Sequence, residues 1–254
     1  MPDAARRLAG RTAVVTGAAG GFGRAIVARL VREGARVALW DLDAARATAF
    51  AGEVDPGGEA TIALEVDVGD SAAVADAAQR TADALGTVEL LVNNAGISEA
   101  ARPWEVTDDD WERHLRINAS GAFWCVRALC DGMRERRYGK IVNIASLSAQ
   151  QGRPTTSPAY PASKGAVLGL TVSLACHLAE FGICVNAINP GFIRTEIHDK
   201  FSDQQLAPLT ADIPLARTGV PEHIAGATYF LLSPDSDFVT GEFLSVNGGS
   251  RTGS

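Results

Sequence analysis

Tyr160 and Lys164 stand four positions apart in "SPAYPASKGAV" (157–167), in a chain with three lysines and three tyrosines against twenty arginines. A sequence that prefers arginine this strongly keeps a lysine at this spot. On a helix, positions i and i+4 share a face, so the phenol and the ammonium can both point at one bound molecule. A phenol titrates near 10, and acid–base work near neutrality requires lowering that by about two to three pH units, roughly 3–4 kcal/mol. A cation about 4 Å away, at an effective dielectric of about 20, supplies about 4 kcal/mol. The pair can therefore move a proton, with Tyr160 as donor or acceptor and Lys164 as the tuning charge. The competing structural reading is a helix whose Tyr packs and whose Lys is solvated.

A second constellation could hold a cofactor. Directly after the apolar run "TAVVT" (12–16) comes "TGAAGGFG" (16–23), which opens a helical pattern. Gly17, Gly21 and Gly23, with Phe22 between the last two, permit a tight turn whose free N–H groups at a helix N-terminus face a diphosphate. A purely structural strand-to-helix turn would also use glycine. Some 20 residues on, the second apolar run ends at Asp41, where a carboxylate can accept hydrogen bonds from both hydroxyls of an adenosine ribose and would repel a 2′-phosphate. No Lys or Arg stands in "WDLD", and the residue before Gly21 is Gly20, so the sequence shows no counter-charge for NADP and points to NAD. An Asp that only caps the next turn would look the same.

Positioning these groups needs a sheet with helices on it. Short β-rich runs at 12–16, 35–41, 61–68, 88–96, 139–146, 182–191 and 241–249 alternate with stretches long enough for crossover helices. Runs apolar at successive positions suit strands covered on both faces, which predicts one α/β domain over 1–254, a doubly wound parallel sheet of the Rossmann type. The polar, Pro-containing segment 196–215 reads as a lid over the site. A net charge of −7 argues against general nucleic-acid affinity. No apolar run approaches the roughly 18 residues of a membrane span, and the first residues lack a signal sequence, so the expected location is the cytoplasm. Cys125, Cys130, Cys176 and Cys184 form no CxxC and are expected as buried thiols; the four histidines are scattered, and no metal is expected.

The landmarks "TGAAGGFG", "NNAG" (93–96), Asn118, Ser146, "YPASK" (160–164) and "NPG" (189–191) appear in one order. Taken together they resemble the short-chain dehydrogenase/reductase family in its single-domain form, over nearly the whole chain. The resemblance implies a sheet of about seven strands and a hydride-transfer site of Asn118, Ser146, Tyr160 and Lys164. It assigns Asp67 and Val68 to adenine contact and Asn94 to the floor of the cofactor site. It further assigns Pro190, Gly191, Ile193 and Thr195 to the nicotinamide carboxamide and phosphates. In these roles Tyr160 exchanges the substrate proton, Ser146 holds the substrate oxygen, Lys164 binds ribose, and Asn118 holds a relay water. The stretch from Ser146 to Tyr160 is about one residue longer than usual, which leaves Ser148 as a competitor for the serine role, and Asn118 also fits a group that stabilises a helix irregularity.

The reading that results is an NAD-dependent oxidoreductase interconverting a secondary alcohol and its carbonyl compound. An NADPH-linked 3-oxoacyl-thioester ketoreductase and a nucleotide-sensing protein without turnover are the alternatives. The expected partners are a small-molecule alcohol or carbonyl compound and copies of the same chain in a tetramer, since 110–133 and 160–181 are apolar around much of their circumference. Arg153 and Arg194 could clamp an acidic substrate at the pocket mouth.

Overall fold

A computed structural model of the protein describes residues 6–152, 156–196 and 210–251. Seven strands pair in parallel in the order β3-β2-β1-β4-β5-β6-β7. They are β1 (Thr12–Thr16), β2 (Arg36–Asp41), β3 (Thr61–Glu65), β4 (Leu90–Asn93), β5 (Gly139–Ile144), β6 (Ile183–Pro190) and β7 (Phe243–Val246). Every residue of β1, β4 and β5 is buried, as the unbroken apolar runs of 12–16 and 88–96 require of strands covered on both faces. The strand order reverses between β1 and β4. In parallel sheets a crevice opens at the carboxyl ends of the strands at such a switch point.

Helices cover the two faces: α1 (Gly21–Arg32), α2 (Ala44–Val54), α3 (Ser71–Leu85), α4 (Asp108–Leu115), α5 (Gly121–Arg136), α6 (Ala159–Leu178) and α7 (Pro221–Leu232). On one face Ile26, Val27 and Leu30 of α1 pack with Ile224 and Leu231 of α7 over Val15, Leu39 and Val142. On the other, Val74 of α3 and Cys125, Leu129 and Met133 of α5 pack over Val14, Trp40 and Ile141. The indole of Trp40 donates to Thr81 Oγ1 at 3.0 Å, so the one polar atom of this large side chain is paired inside the core.

Two elements carry site residues, one of them by departing from regular α-helical geometry. Between α4 and α5 the chain makes one π-helical turn, Arg116–Ser120, with Asn118 buried in it. α6 is apolar on nearly all sides and, with the turn after it, long and apolar enough to cross a membrane by length and composition, which 160–181 as a sequence did not suggest. Its contacts with β6, α4 and the π turn place it against the sheet, with Tyr160 and Lys164 in its first turns.

Two expectations change. Only Cys125 is a buried thiol, its pKa pushed up to about 12 by burial; Cys130 and Cys184 are half-buried and Cys176 is exposed, because helix positions 130 and 176 fall outside the packed stripe. The predicted lid at 196–215 lies largely outside the described residues. Its base is pinned, since Ile193 and Gly219 form a β-bridge and Leu215 N donates to Gly248 O at 3.1 Å.

Candidate active site

Gly17 begins the turn out of β1 with φ +61°, and a Cβ there would come within 2.9 Å of Ala95 Cα beyond β4. Glycine is required on both counts. Asn94 locks this approach: its Nδ2 donates to Thr16 O and Gly17 O, each at 2.9 Å. Gly23 lets α1 close onto the same turn, because a Cβ there would lie 2.1 Å from Gly17 O. The N-cap of α1 is Gly20, with no side-chain cap bond and no acidic residue in the first turn. The orphan N–H groups and positive end of this helix face a cleft of about 380 Å³, an arrangement suited to a diphosphate.

At one end of the cleft stands Asp41. Its carboxylate accepts from Ala19 N at 2.8 Å and from Asp43 N at 3.0 Å, which leaves lone pairs for a ribose. Beside it the structure places a cation that the local sequence did not show. Arg46, in the first turn of α2, lines the cleft with Asp41 and Asp43, and its Nη1 lies 3.7 Å from where a Cβ on Gly20 would be. Its Nη2 donates to Glu196 Oε2 at 2.6 Å.

At the other end are Ile144, Ala145, Tyr160 and Lys164. Lys164 is buried and donates to the carbonyl of Ile144 at 2.7 Å; burial brings its pKa down from 10.5 to about 8. Tyr160 hydrogen-bonds Ser146, and burial raises its pKa while that bond opposes the rise. The protein alone therefore holds the phenol protonated; Lys164 does not act as the tuning charge expected from the sequence, and lowering the phenol pKa falls to charge arriving with the ligands. Ser146 Oγ also accepts from Ser148 N at 3.1 Å, and of the two serines 146 is the one bonded to the tyrosine.

Asn118 spends its side chain on structure: Oδ1 accepts from Ile97 N at 2.8 Å, and Nδ2 donates to Ile97 O and Ser163 Oγ, each at 2.9 Å. It ties the π turn to the segment after β4 and to α6. A Cβ at Gly96 would lie 3.0 Å from Asn118 Oδ1 and 3.2 Å from Lys164 Nζ, so the three converge.

Among the residues singled out from the sequence, Gly17, Gly21, Phe22, Asp41, Asn94, Tyr160, Lys164 and Thr195 line this cleft. Others stand outside its walls. Asp67 bonds Gly69 N at 2.7 Å, Val68 packs on Gly121, Gly191 abuts Asn247, and Ile193 turns into a second cavity of about 710 Å³. Arg153 lies outside the described residues, and Arg194 is exposed with its N–H on Gly219 O at 2.9 Å. Arg46, Asp43 and Ile97 were not singled out from the sequence.

Residues 17–251 match the family model adh_short_C2, described as enoyl-(acyl carrier protein) reductase. The 2-dehydro-3-deoxy-L-rhamnonate dehydrogenase (NAD(+)) of Sphingomonas sp. (strain SKA58) is 41% identical over 249 residues, covering 98% of each chain. Sorbitol dehydrogenase of Cereibacter sphaeroides is 36% identical over 256 residues, 96% of this chain and 98% of that one. A crystal structure of an Agrobacterium tumefaciens protein assigned as a gluconate dehydrogenase superposes with a TM-score of 0.92 at 34% identity, covering 98% of each chain. The fold and site define a dinucleotide-dependent oxidoreductase, and the chain belongs to the short-chain dehydrogenase/reductase family.

Proposed function

We propose that the protein is an NAD-dependent dehydrogenase that oxidises a secondary alcohol of a sugar-derived acid to the ketone, with Tyr160 as general base. The observation that carries this reading is that Tyr160, hydrogen-bonded to Ser146, and Lys164 line one end of a cleft whose other end presents the Asp41 carboxylate. NAD supplies the hydride acceptor when bound between them.

The remaining work belongs to the chain. Asp41 takes the ribose hydroxyls, and the α1 N-terminus takes the diphosphate. Lys164, anchored on the Ile144 carbonyl, would hold the second ribose. Ser146, bonded to Tyr160 and accepting from Ser148 N, would hold the substrate oxygen beside the phenol. Tyr160 accepts the hydroxyl proton as the hydride departs and returns it in the reverse direction. Asn118 keeps Ile97 and Ser163 in register around this point.

The sugar-acid assignment draws support from the names of two of the proteins above, one a 2-dehydro-3-deoxy-L-rhamnonate dehydrogenase and the other assigned as a gluconate dehydrogenase; the sorbitol enzyme makes polyols the natural controls. A panel of aldonic and deoxyaldonic acids, polyols and simple secondary alcohols with NAD+, followed by nicotinamide absorbance, tests it. The sugar acids are expected to give the highest kcat/KM, and a best substrate without a carboxylate would overturn the assignment.

The cytoplasmic location and the homotetramer belong to the same proposal. Supporting the tetramer, large apolar side chains are exposed on the packed helices. Phe123 and Val172 stand on α5 and α6, while Phe230 and Phe238 stand on and after α7. Light scattering on the protein at micromolar concentration should give four times 26.5 kDa, and a stable monomer would contradict it.

A further inference from the structure

The ion pair between Arg46 and Glu196 has no part in the chemistry above. The two residues are 150 positions apart, one in the first turn of α2 and the other directly after Thr195, and their side chains are 49% and 61% exposed. Of the residues lining the cleft, Arg46 and Lys164 are the cations, and Lys164 stands at the opposite end beside Tyr160. Arg46 shares its end with Asp41, where the adenosine ribose would carry its 2′ substituent. A 2′-phosphate there needs a guanidinium to offset both its own charge and the repulsion of Asp41. Glu196 already holds that guanidinium at 2.6 Å.

We propose that Glu196 is a cofactor-specificity residue: it binds the Arg46 guanidinium and so withholds from a 2′-phosphate the one cation that, among the described residues, lines the Asp41 end of the cleft. Asp41 excludes the phosphate by repulsion, and Glu196 excludes it by occupying the group that would welcome it. The second device has a graded strength, because both partners face solvent and salt screens them. It also separates the two charges in a mutational test, since removing Glu196 frees Arg46 without touching the ribose-binding carboxylate.

The proposal rests on reading the cleft as a dinucleotide site. Dissociation constants of NADPH and NADH, measured by nicotinamide fluorescence at low ionic strength, test both levels; adenosine 2′,5′-bisphosphate against 5′-AMP by calorimetry gives a readout free of turnover. In Glu196→Gln the ratio of the NADPH constant to the NADH constant is expected to fall about five-fold, the equivalent of the ~1 kcal/mol of an exposed ion pair. The bisphosphate ratio is expected to fall with it. In Glu196→Gln combined with Arg46→Ala the fall is expected to shrink below about two-fold, because the freed cation is gone. A ratio unmoved by Glu196→Gln, or one that falls equally without Arg46, overturns the proposal while leaving the dinucleotide site standing. Wild-type protein that binds neither nucleotide overturns both.

Discussion

The ammonium of Lys164 donates to the carbonyl oxygen of Ile144 at 2.7 Å, a bond from helix α6 to the end of strand β5. That contact fixes the cation at the carboxyl edge of the sheet, and the burial that comes with it lowers the lysine's pKa to about 8. A charged group in so dry a place opposes folding until a ligand uses it.

The sign of the effect on stability is set by linkage. The folded pKa of Lys164 is depressed from 10.5 to about 8, so between these values the unfolded chain binds more protons and stability rises with pH. Wild-type stability, measured against Lys164→Met by urea unfolding without cofactor, should gain about 2 kcal/mol between pH 7 and pH 9.5. A difference independent of pH would mean that the ammonium is not desolvated as found.

Asn118 makes three side-chain bonds that tie the π turn to Ile97 and Ser163. Asn118→Ala leaves these groups unpaired and should cost about 2–3 kcal/mol of stability, with a fall in kcat beside it. A variant as stable as wild type in urea, but slow, would move Asn118 from a positioning residue to one acting on the reaction itself.

Asp41→Ala removes acceptors for Ala19 N and Asp43 N together with the ribose contact. It should raise the KM for NAD+ by tenfold or more, on the order of two hydrogen bonds to a charged group, and narrow the gap to NADP+. An unchanged ratio of kcat/KM for the two cofactors would remove Asp41 from discrimination.

Much of this was legible in the residues alone. Strand runs gave the sheet because burial on both faces leaves an unbroken apolar signature, and the glycine turn and Tyr–Lys pair are local in sequence. What was missed depends on side-chain direction. Arg46 lies five residues past Asp41, and a helical side chain covers the turn N-terminal to its own Cα, which carries its guanidinium back over the cleft. Glu196 comes from 150 positions away, and no local pattern joins the two. The absence of a basic residue in "WDLD" was true of the sequence and misleading about the space around it.

The central claim is that Tyr160 moves the substrate proton in an NAD-dependent oxidation. Its most direct test is the steady-state rate of NADH formation by wild type and Tyr160→Phe with the best substrate of the sugar-acid panel, with NADH binding measured on both proteins. The phenylalanine removes the transferable proton and almost no volume, so turnover should fall at least about 100-fold while the NADH dissociation constant stays within a few-fold. A variant retaining more than about a hundredth of the wild-type rate, with its cofactor bound as before, would contradict the account.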